Sequence, residues 1–338
     1  MELYCGIDLH SNNNYVAIMS RERENVASRR LGNDLGRVVG FLEPYRKDLV
    51  AVAVESTYNW YWLVDGLVDV GYDVRLVNTT KASRFSDMKF TDDKHDARWI
   101  ALMLALGILP EGYIVSPQER GVRDLLRRRA FLVDKRTAHL LSLRTLYERS
   151  TGRRIAAGEF QKWTTEMAHK LICDPMVAES TLFMLPRVRV MCLRIDGVEK
   201  MVLAQAKLRD EFGLLKTAPG IGNILALTIM CETVDIDRFP KASNYVSYCR
   251  CAKSEHTSNN KKKGAGNRKN GNKYLSWAYS EAAHHARCHD PLAKRYYARK
   301  CSRSHPMIAK RALAAKIARA CYYVLRHQVA FDPSRVFC

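Results

Sequence analysis

The sequence predicts an α/β domain at the N-terminus followed by a mainly helical remainder. Three observations carry that prediction. Apolar and β-branched runs separated by polar turns fill much of the first 55 residues. Strand-like and helical stretches then alternate to about residue 105, and after Pro117 apolar residues recur at helical spacing.

Residues 3–9, 14–20 and 25–31 alternate or run apolar between turns such as HSNNN, the pattern of a three-stranded antiparallel meander. A helical pattern over 35–42 stops before Pro44, and LVAVAVES then reads as a short buried strand ending at Glu55. An amphipathic stretch at 60–70, a strand at 72–77 and a helix at about 93–105 follow. This order is the one expected of an RNase H-like α/β domain, in which acidic residues meet at strand ends and on a following helix. Beyond Pro117, Val122, Leu125, Leu126, Leu132, Val133, Leu140, Leu143 and Leu146 predict a long, basic amphipathic helix. A second helical arm is expected at about 188–212, able to pair with the first as a coiled coil within one chain or between protomers, without a strict heptad. Short helices or loops are expected between the arms.

The C-terminal third opens with Pro219-Gly220-Ile221-Gly222 ahead of a helical apolar run. Free backbone N–H groups at such a helix start suit a phosphate, although an ordinary Gly-rich turn reads the same way. The most polar stretch follows, with Lys261, Lys262, Lys263, Arg268, Lys269 and Lys273 among glycines and asparagines. Its composition predicts a flexible loop suited to a phosphate backbone. A basic helical region closes the chain, ending at about His327.

With 338 residues the chain can hold several cores. Its 55 lysines and arginines outnumber 35 acidic residues, and the formal charge of +20 favours a polyanionic partner, nucleic acid ahead of a membrane surface. No apolar stretch reaches the roughly 20 residues that span a bilayer, and the first residues read as a strand rather than a signal sequence. The protein is therefore expected in the cytoplasm, associated with the nucleoid. Ten cysteines lack the paired spacing of a disulfide framework or zinc ribbon, so small buried hydrophobes and free thiols are the expected roles.

Four acidic residues stand out against this basic background. Asp8 interrupts the apolar run YCGIDLH, Glu55 ends VAVES, and Asp93 and Asp96 are three residues apart at the start of a helix. An unpaired carboxylate is costly in a buried strand, and the i, i+3 pair turns toward one side. Taken singly, each reads as a strand end or a solvated helix start. Together they point to a divalent cation such as Mg²⁺, which would relieve their repulsion and polarise a phosphodiester.

The GID strand with Asp8, the VES segment with Glu55, the DxxDA box at 93–97, PGIG at 219–222, DRFP at 237–240 and the segment SNNKKKGAGNRKNGNKYL beginning at Ser258 follow one another in a fixed order. In that order the chain resembles the insertion-sequence transposases of the IS110/IS1111 family, bridge-RNA-guided recombinases related to the Piv DNA invertases. The resemblance implies a RuvC-like domain at 1–116 whose Asp8, Glu55, Asp93 and Asp96 bind Mg²⁺. It further implies a helical, coiled-coil arm and linker at 117–212 and a transposase domain at 213–338 that supplies a serine nucleophile. Matching the motif from DRFP forward places that serine at Ser258, where family members commonly show Ser-Gly and this chain has Ser258-Asn259; Ser254 is the nearest competitor, ahead of Ser247 in its more apolar context. Donor and target DNA, a structured noncoding guide RNA and a dimer or tetramer of the chain are the implied partners, with the serine and the acids drawn from different protomers. Nucleic-acid contacts are expected from Lys261, Lys262, Lys263, Arg268, Lys269, Lys273, Gly220 and Gly222. The competing readings are a metal-dependent nuclease or resolvase without a covalent step, an unguided Piv-type invertase and a binding scaffold with a degenerate site.

Overall fold

The computed structural model describes residues 1–82, 92–206, 209–252, 255–259, 261–265 and 270–337. They form two compact units, Met1–Pro117 and Gln118–Cys338.

The first unit begins with the predicted meander: β1 (Leu3–Leu9), β2 (Asn13–Ser20) and β3 (Asn25–Gly32). α1 (Leu35–Leu42), N-capped by the Asp34 side chain, and a 3₁₀ turn at Glu43–Tyr45 lead to β4 (Leu49–Glu55), α2 (Tyr61–Asp69), β5 (Val74–Val77), the short α3 (Thr79–Ala82), α4 (Asp93–Ala105) and β6 (Glu111–Gly112). The sheet order is β3-β2-β1-β4-β5-β6. β1 pairs antiparallel with β2 and parallel with β4, and β5 continues the parallel half.

Strand periodicity sorts β1 into two faces. Leu3, Cys5, Ile7 and Leu9 join Val38, Leu42, Leu63 and Leu67 in the core under α1 and α2. Gly6 and Asp8 alternate with them and look the other way, toward α4. Ala53 on β4 lies on that second face with Val77, Ile100 and Met103, and Glu55 follows Ala53 at the same parity. The mixed sheet between helical layers is consistent with the RuvC-like fold predicted from the sequence.

Among its described residues the regular structure of the second unit is helical apart from one hairpin. α5 (Pro117–Thr151) is the predicted long basic helix; a 3₁₀ segment at Ala157–Lys162 and α6 (Thr165–Leu171) connect it to α7 (Pro175–Ala206). The second arm therefore starts earlier than the expected 188, and ends earlier than 212. Asp174 caps its first turn by accepting from the Met176 and Val177 amides, Pro175 occupies a first-turn position where its missing N–H costs nothing, and Pro186 lies inside the helix on an exposed side. α5 and α7 share a core of Leu140, Leu143, Tyr147, Leu185 and Val188 around Phe160 and Trp163, and Arg129 pairs with Glu199 at 2.7 Å.

α8 (Asp210–Lys216), α9 (Asn223–Thr233), α10 (Ala242–Tyr248), α11 (Lys273–His289), α12 (Pro291–Cys301), α13 (Pro306–His327) and α14 (Pro333–Phe337) complete the unit. Between α10 and α11, β7 (Glu255–Ser258) pairs antiparallel with β8 (Lys261–Ala265), so the segment expected as a loop contains a β-hairpin. α9 is buried nearly all round, and its core extends through Tyr245, Tyr279, Leu313 and Ile317. Tyr279 is a core residue whose hydroxyl hydrogen-bonds with that of Tyr245 at 2.7 Å. Among the described residues no helix is long and apolar enough to cross a membrane.

Candidate functional site

Gly6 sets how closely α4 can approach the sheet. A Cβ at Gly6 would lie 2.2 Å from the Ala97 carbonyl oxygen and 2.5 Å from the Ala101 amide nitrogen, so only glycine lets this helix backbone rest on β1. Ala97 and Ala101, one turn apart and fully buried, form the matching flat stripe on α4. Asp8 lies two residues beyond Gly6 on the same strand face; Asp93 lies one turn before Ala97, and Asp96 immediately before it. The close packing of Gly6 on Ala97 thus brings the first turn of α4 over the end of β1. On the neighbouring parallel strand Ile7 stands opposite Val54, so Asp8 and Glu55 emerge side by side.

The resulting cluster is crowded with negative charge. Asp8 is 2% exposed, Glu55 and Asp93 are half-buried, and Asp96 is more open. Burial, followed by a hydrogen bond with Asp8 and the charges of Asp8 and Asp96, pushes the Glu55 carboxyl up to about 8. Burial and the charge of Asp8, partly opposed by His95, likewise raise Asp96. Asp93 moves the other way: burial opposes ionisation, but His10 and Arg30 outweigh it and hold the carboxyl below its usual range.

His10 and Arg30 are the site residues that sequence reasoning missed. His10 Nε2 lies 3.1 Å from Asp8 Oδ2 and 3.1 Å from Asp93 Oδ1, while Arg30 Nη2 donates to Asp93 Oδ2 at 2.7 Å. The i, i+2 spacing of Gly6, Asp8 and His10, the last just past the end of β1, was the available signal for the histidine. Arg30 had none, because its position depends on the registry of β3 against β2. Asp8, His10 and Asp93 each offer a ligand atom within 4.8 Å of the others. Asp8 Oδ2 and His10 Nε2 are shut off from solvent, and despite their proximity neither has an aligned hydrogen-bond partner. Convergent oxygen donors, unrelieved repulsion and an orphaned buried carboxylate oxygen fit a divalent cation.

The second unit carries the remaining sequence-predicted residues. Ser258 is the last residue of β7, followed by Asn259 with φ of 51°. Lys261 and Lys263 are exposed on β8, Lys262 lies in the same strand, and Lys273 begins α11 with its ammonium 5.0 Å from the Tyr274 ring. Arg268, Lys269 and Ser254 fall outside the described residues. Gly220, with φ of 78°, has a packing reason of its own: a Cβ there would meet the Ala282 oxygen at 2.2 Å and the Ala286 nitrogen at 2.6 Å. Gly222 is the N-cap of α9 and has open space where a side chain would be. Cys249 and Cys251 are buried thiols, Cys251 pushed up to about 12 by burial, and neither they nor Cys288 with His289 form a metal group among the described residues.

Residues 5–149 match the family model for transposases of the DEDD, IS110 type, and residues 213–298 match the model described as transposase IS116/IS110/IS902 family. The two matches follow the chain order of the motifs and together span about two thirds of it. No curated protein matches the chain. A DEDD transposase domain implies use of a divalent metal, and the carboxylate cluster lies within the first match. The chain therefore belongs to the IS110 family of transposases, enzymes that act on DNA.

Proposed function

We propose that the protein cuts and rejoins DNA strands at a Mg²⁺ site made by Asp8, Glu55, Asp93 and Asp96, with Ser258 as the nucleophile and a structured noncoding RNA as the guide. The observation that carries this reading is the packing of α4 on β1 at Gly6, which brings Asp8, His10 and Asp93 within ligand distance of one another beside Glu55 and Asp96. A bound Mg²⁺ supplies Lewis-acid polarisation of the scissile phosphate and charge to balance the acids. Asp8 and Glu55 fix the donor positions from adjacent strands. His10 Nε2, 3.1 Å from Asp8 Oδ2 and from Asp93 Oδ1, would join them as a third ligand.

In this reading the Ser258 hydroxyl loses its proton and its Oγ attacks the scissile phosphorus. The bond from phosphorus to the leaving deoxyribose oxygen breaks, that oxygen takes up a proton, and the DNA is held as a phosphoserine ester. Attack by a hydroxyl of another strand end reverses the step, so joining needs no external energy. The exposed Lys261 and Lys263, with Lys262, Arg268, Lys269, Lys273 and the backbone at Gly220 and Gly222, bind the nucleic-acid backbone. Sequence choice falls to base pairing with the guide. The division of labour follows 1–116 for the metal site, 117–212 for a coiled-coil arm that joins copies of the chain, and 213–338 for the serine. The cytoplasm, at the nucleoid, is the place of action.

Ser258→Ala and Asp96→Asn, assayed for the protein–DNA adduct and for strand joining, test the reading. Both activities vanish in both variants if it holds. Strand cleavage that persists in Ser258→Ala would show a hydrolytic nuclease, and joining that persists in correctly folded Asp96→Asn would remove the metal assignment.

A further inference from the structure

Glu232 is a carboxylate buried within the most apolar helix of the second unit. It lies in α9, is 3% exposed, and receives three hydrogen bonds. Arg127 of α5 grips it with both arms of its fork, Nε to Oε1 at 2.7 Å and Nη2 to Oε2 at 2.8 Å, and the Asn272 amide donates to Oε2 at 2.7 Å. The Arg127 guanidinium also lies 4.9 Å from the Tyr274 ring. Desolvating such a pair costs much of what its attraction returns, and an apolar pair of similar volume commonly supports a core as well. What the charged arrangement adds is direction, because a bidentate fork and an amide hydrogen bond fix orientation where apolar contacts slide.

The direction is set at the base of the hairpin. Asn272 caps α11, its Oδ1 accepting from the Tyr274 and Leu275 amides, and its own amide N–H donates to the Tyr248 carbonyl at 2.6 Å. Gly271, with φ of 86°, packs where a Cβ would lie 2.5 Å from that carbonyl oxygen, and Arg250 Nε donates to the Gly271 carbonyl at 3.0 Å. Arg311 holds the Arg250 carbonyl from α13. The chain thus leaves the helical core at Tyr248–Arg250 and re-enters it at Gly271–Asn272 through one cluster of contacts, and β7 and β8 lie in sequence between these two points. Asn272 is the residue through which that cluster meets the buried Glu232.

We propose that Glu232 is a positioning residue for the hairpin that carries Ser258, and that through Arg127 it ties the hairpin's aim to the long helix α5. The inference rests on the reading of Ser258 as nucleophile. A displacement of α5 along its axis reaches Asn272 through the two-pronged Arg127–Glu232 contact and one hydrogen bond, which together hold these side chains in one arrangement, so the state of the long helix sets the direction in which the base of the hairpin points.

Two variants test this in the full-length protein with its co-purified RNA. Asn272→Ser keeps a helix cap but removes the amide donor to Glu232. The double change Arg127→Leu with Glu232→Leu replaces the buried pair by apolar groups. Each is measured for unfolding temperature, for DNA affinity and for the rate of adduct formation at saturating DNA, with Ser258→Ala in parallel. The expected result is a rate lowered at least tenfold in both variants, DNA affinity within about twofold of wild type, and no adduct in Ser258→Ala. A rate within twofold of wild type in folded Asn272→Ser would overturn the proposal, and that variant decides if the double one fails to fold. Adduct formation undiminished in Ser258→Ala would instead defeat the nucleophile assignment, whatever the other variants do.

Discussion

Gly6→Ala separates the packing that builds the carboxylate site from the carboxylates themselves. The added Cβ would be 2.2 Å from the Ala97 oxygen, whereas ordinary contact begins near 3.4 Å, so α4 must withdraw by roughly 1.2 Å. The obstacle is helix backbone, which cannot rotate aside as a side chain does. Overpacking of this kind costs about 1–3 kcal/mol and lowers the unfolding temperature by several degrees. The larger effect falls on the site, because Asp93 and Asp96 travel with α4 while Asp8 and Glu55 stay with the sheet. Metal-ligand distances hold to within about 0.2 Å, and a displacement of about 1 Å in a reacting group costs on the order of 100-fold in rate. Mg²⁺-dependent strand cleavage, titrated against Mg²⁺ concentration and paired with a melting curve, reads both effects. The predicted variant is folded, needs several times more Mg²⁺ and is slower by one to two orders of magnitude. Wild-type cleavage at the wild-type Mg²⁺ requirement would refute the claim that the Gly6–Ala97 contact sets the site.

Further outcomes follow from the same geometry. With metal removed by a chelator, the raised Glu55 keeps its proton in the folded state to about pH 8 but loses it near 4.5 when unfolded. The folded state then binds more protons between those values, so stability falls as pH rises through that window. Melting curves across the window should show this slope in the metal-free protein, a shallower one in Glu55→Gln, and compensation by added Mg²⁺ in the wild type only. Gly220→Ala meets backbone as Gly6→Ala does and is strained by its positive φ, so it should lower the unfolding temperature yet leave the Mg²⁺ requirement unchanged. Sequencing of RNA that co-purifies with the expressed element should recover one structured transcript from its flank; its absence would favour an unguided invertase.

The sequence made the first unit legible because its signals are local. Strands of alternating parity, turns between them and an acidic pair at a helix start all follow from neighbouring residues, and β1 through α4 lie close to where those patterns place them. The acids themselves were legible from their cost in apolar surroundings. The partners of those acids were hidden, because Arg30 reaches Asp93 only through the pairing of Tyr15 with Arg30 in the sheet. The hairpin at 255–265 was hidden for a different reason. Its residues are polar at both parities, so no period of two marks the strands. α7 starts earlier than its apolar spacing indicates because Asp174-Pro175, a dipeptide equally at home in a loop, is here a cap followed by a first-turn proline. Glu232 offered no signal either, since an acid at the end of an apolar run gives no hint that Arg127 and Asn272, 105 and 40 residues away, converge on it.

The joint role of the carboxylates and the serine is tested most directly by mass spectrometry of the protein–DNA adduct. Cleavage after lysine releases Ser254–Lys261, a peptide that contains both Ser254 and Ser258. With donor DNA, guide RNA and Mg²⁺ present, this peptide should carry the phosphodiester remnant on Ser258, and the adduct should disappear when metal is chelated or Asp8 is replaced by Asn. A remnant on another residue, or an adduct equally abundant without metal, would contradict that joint role.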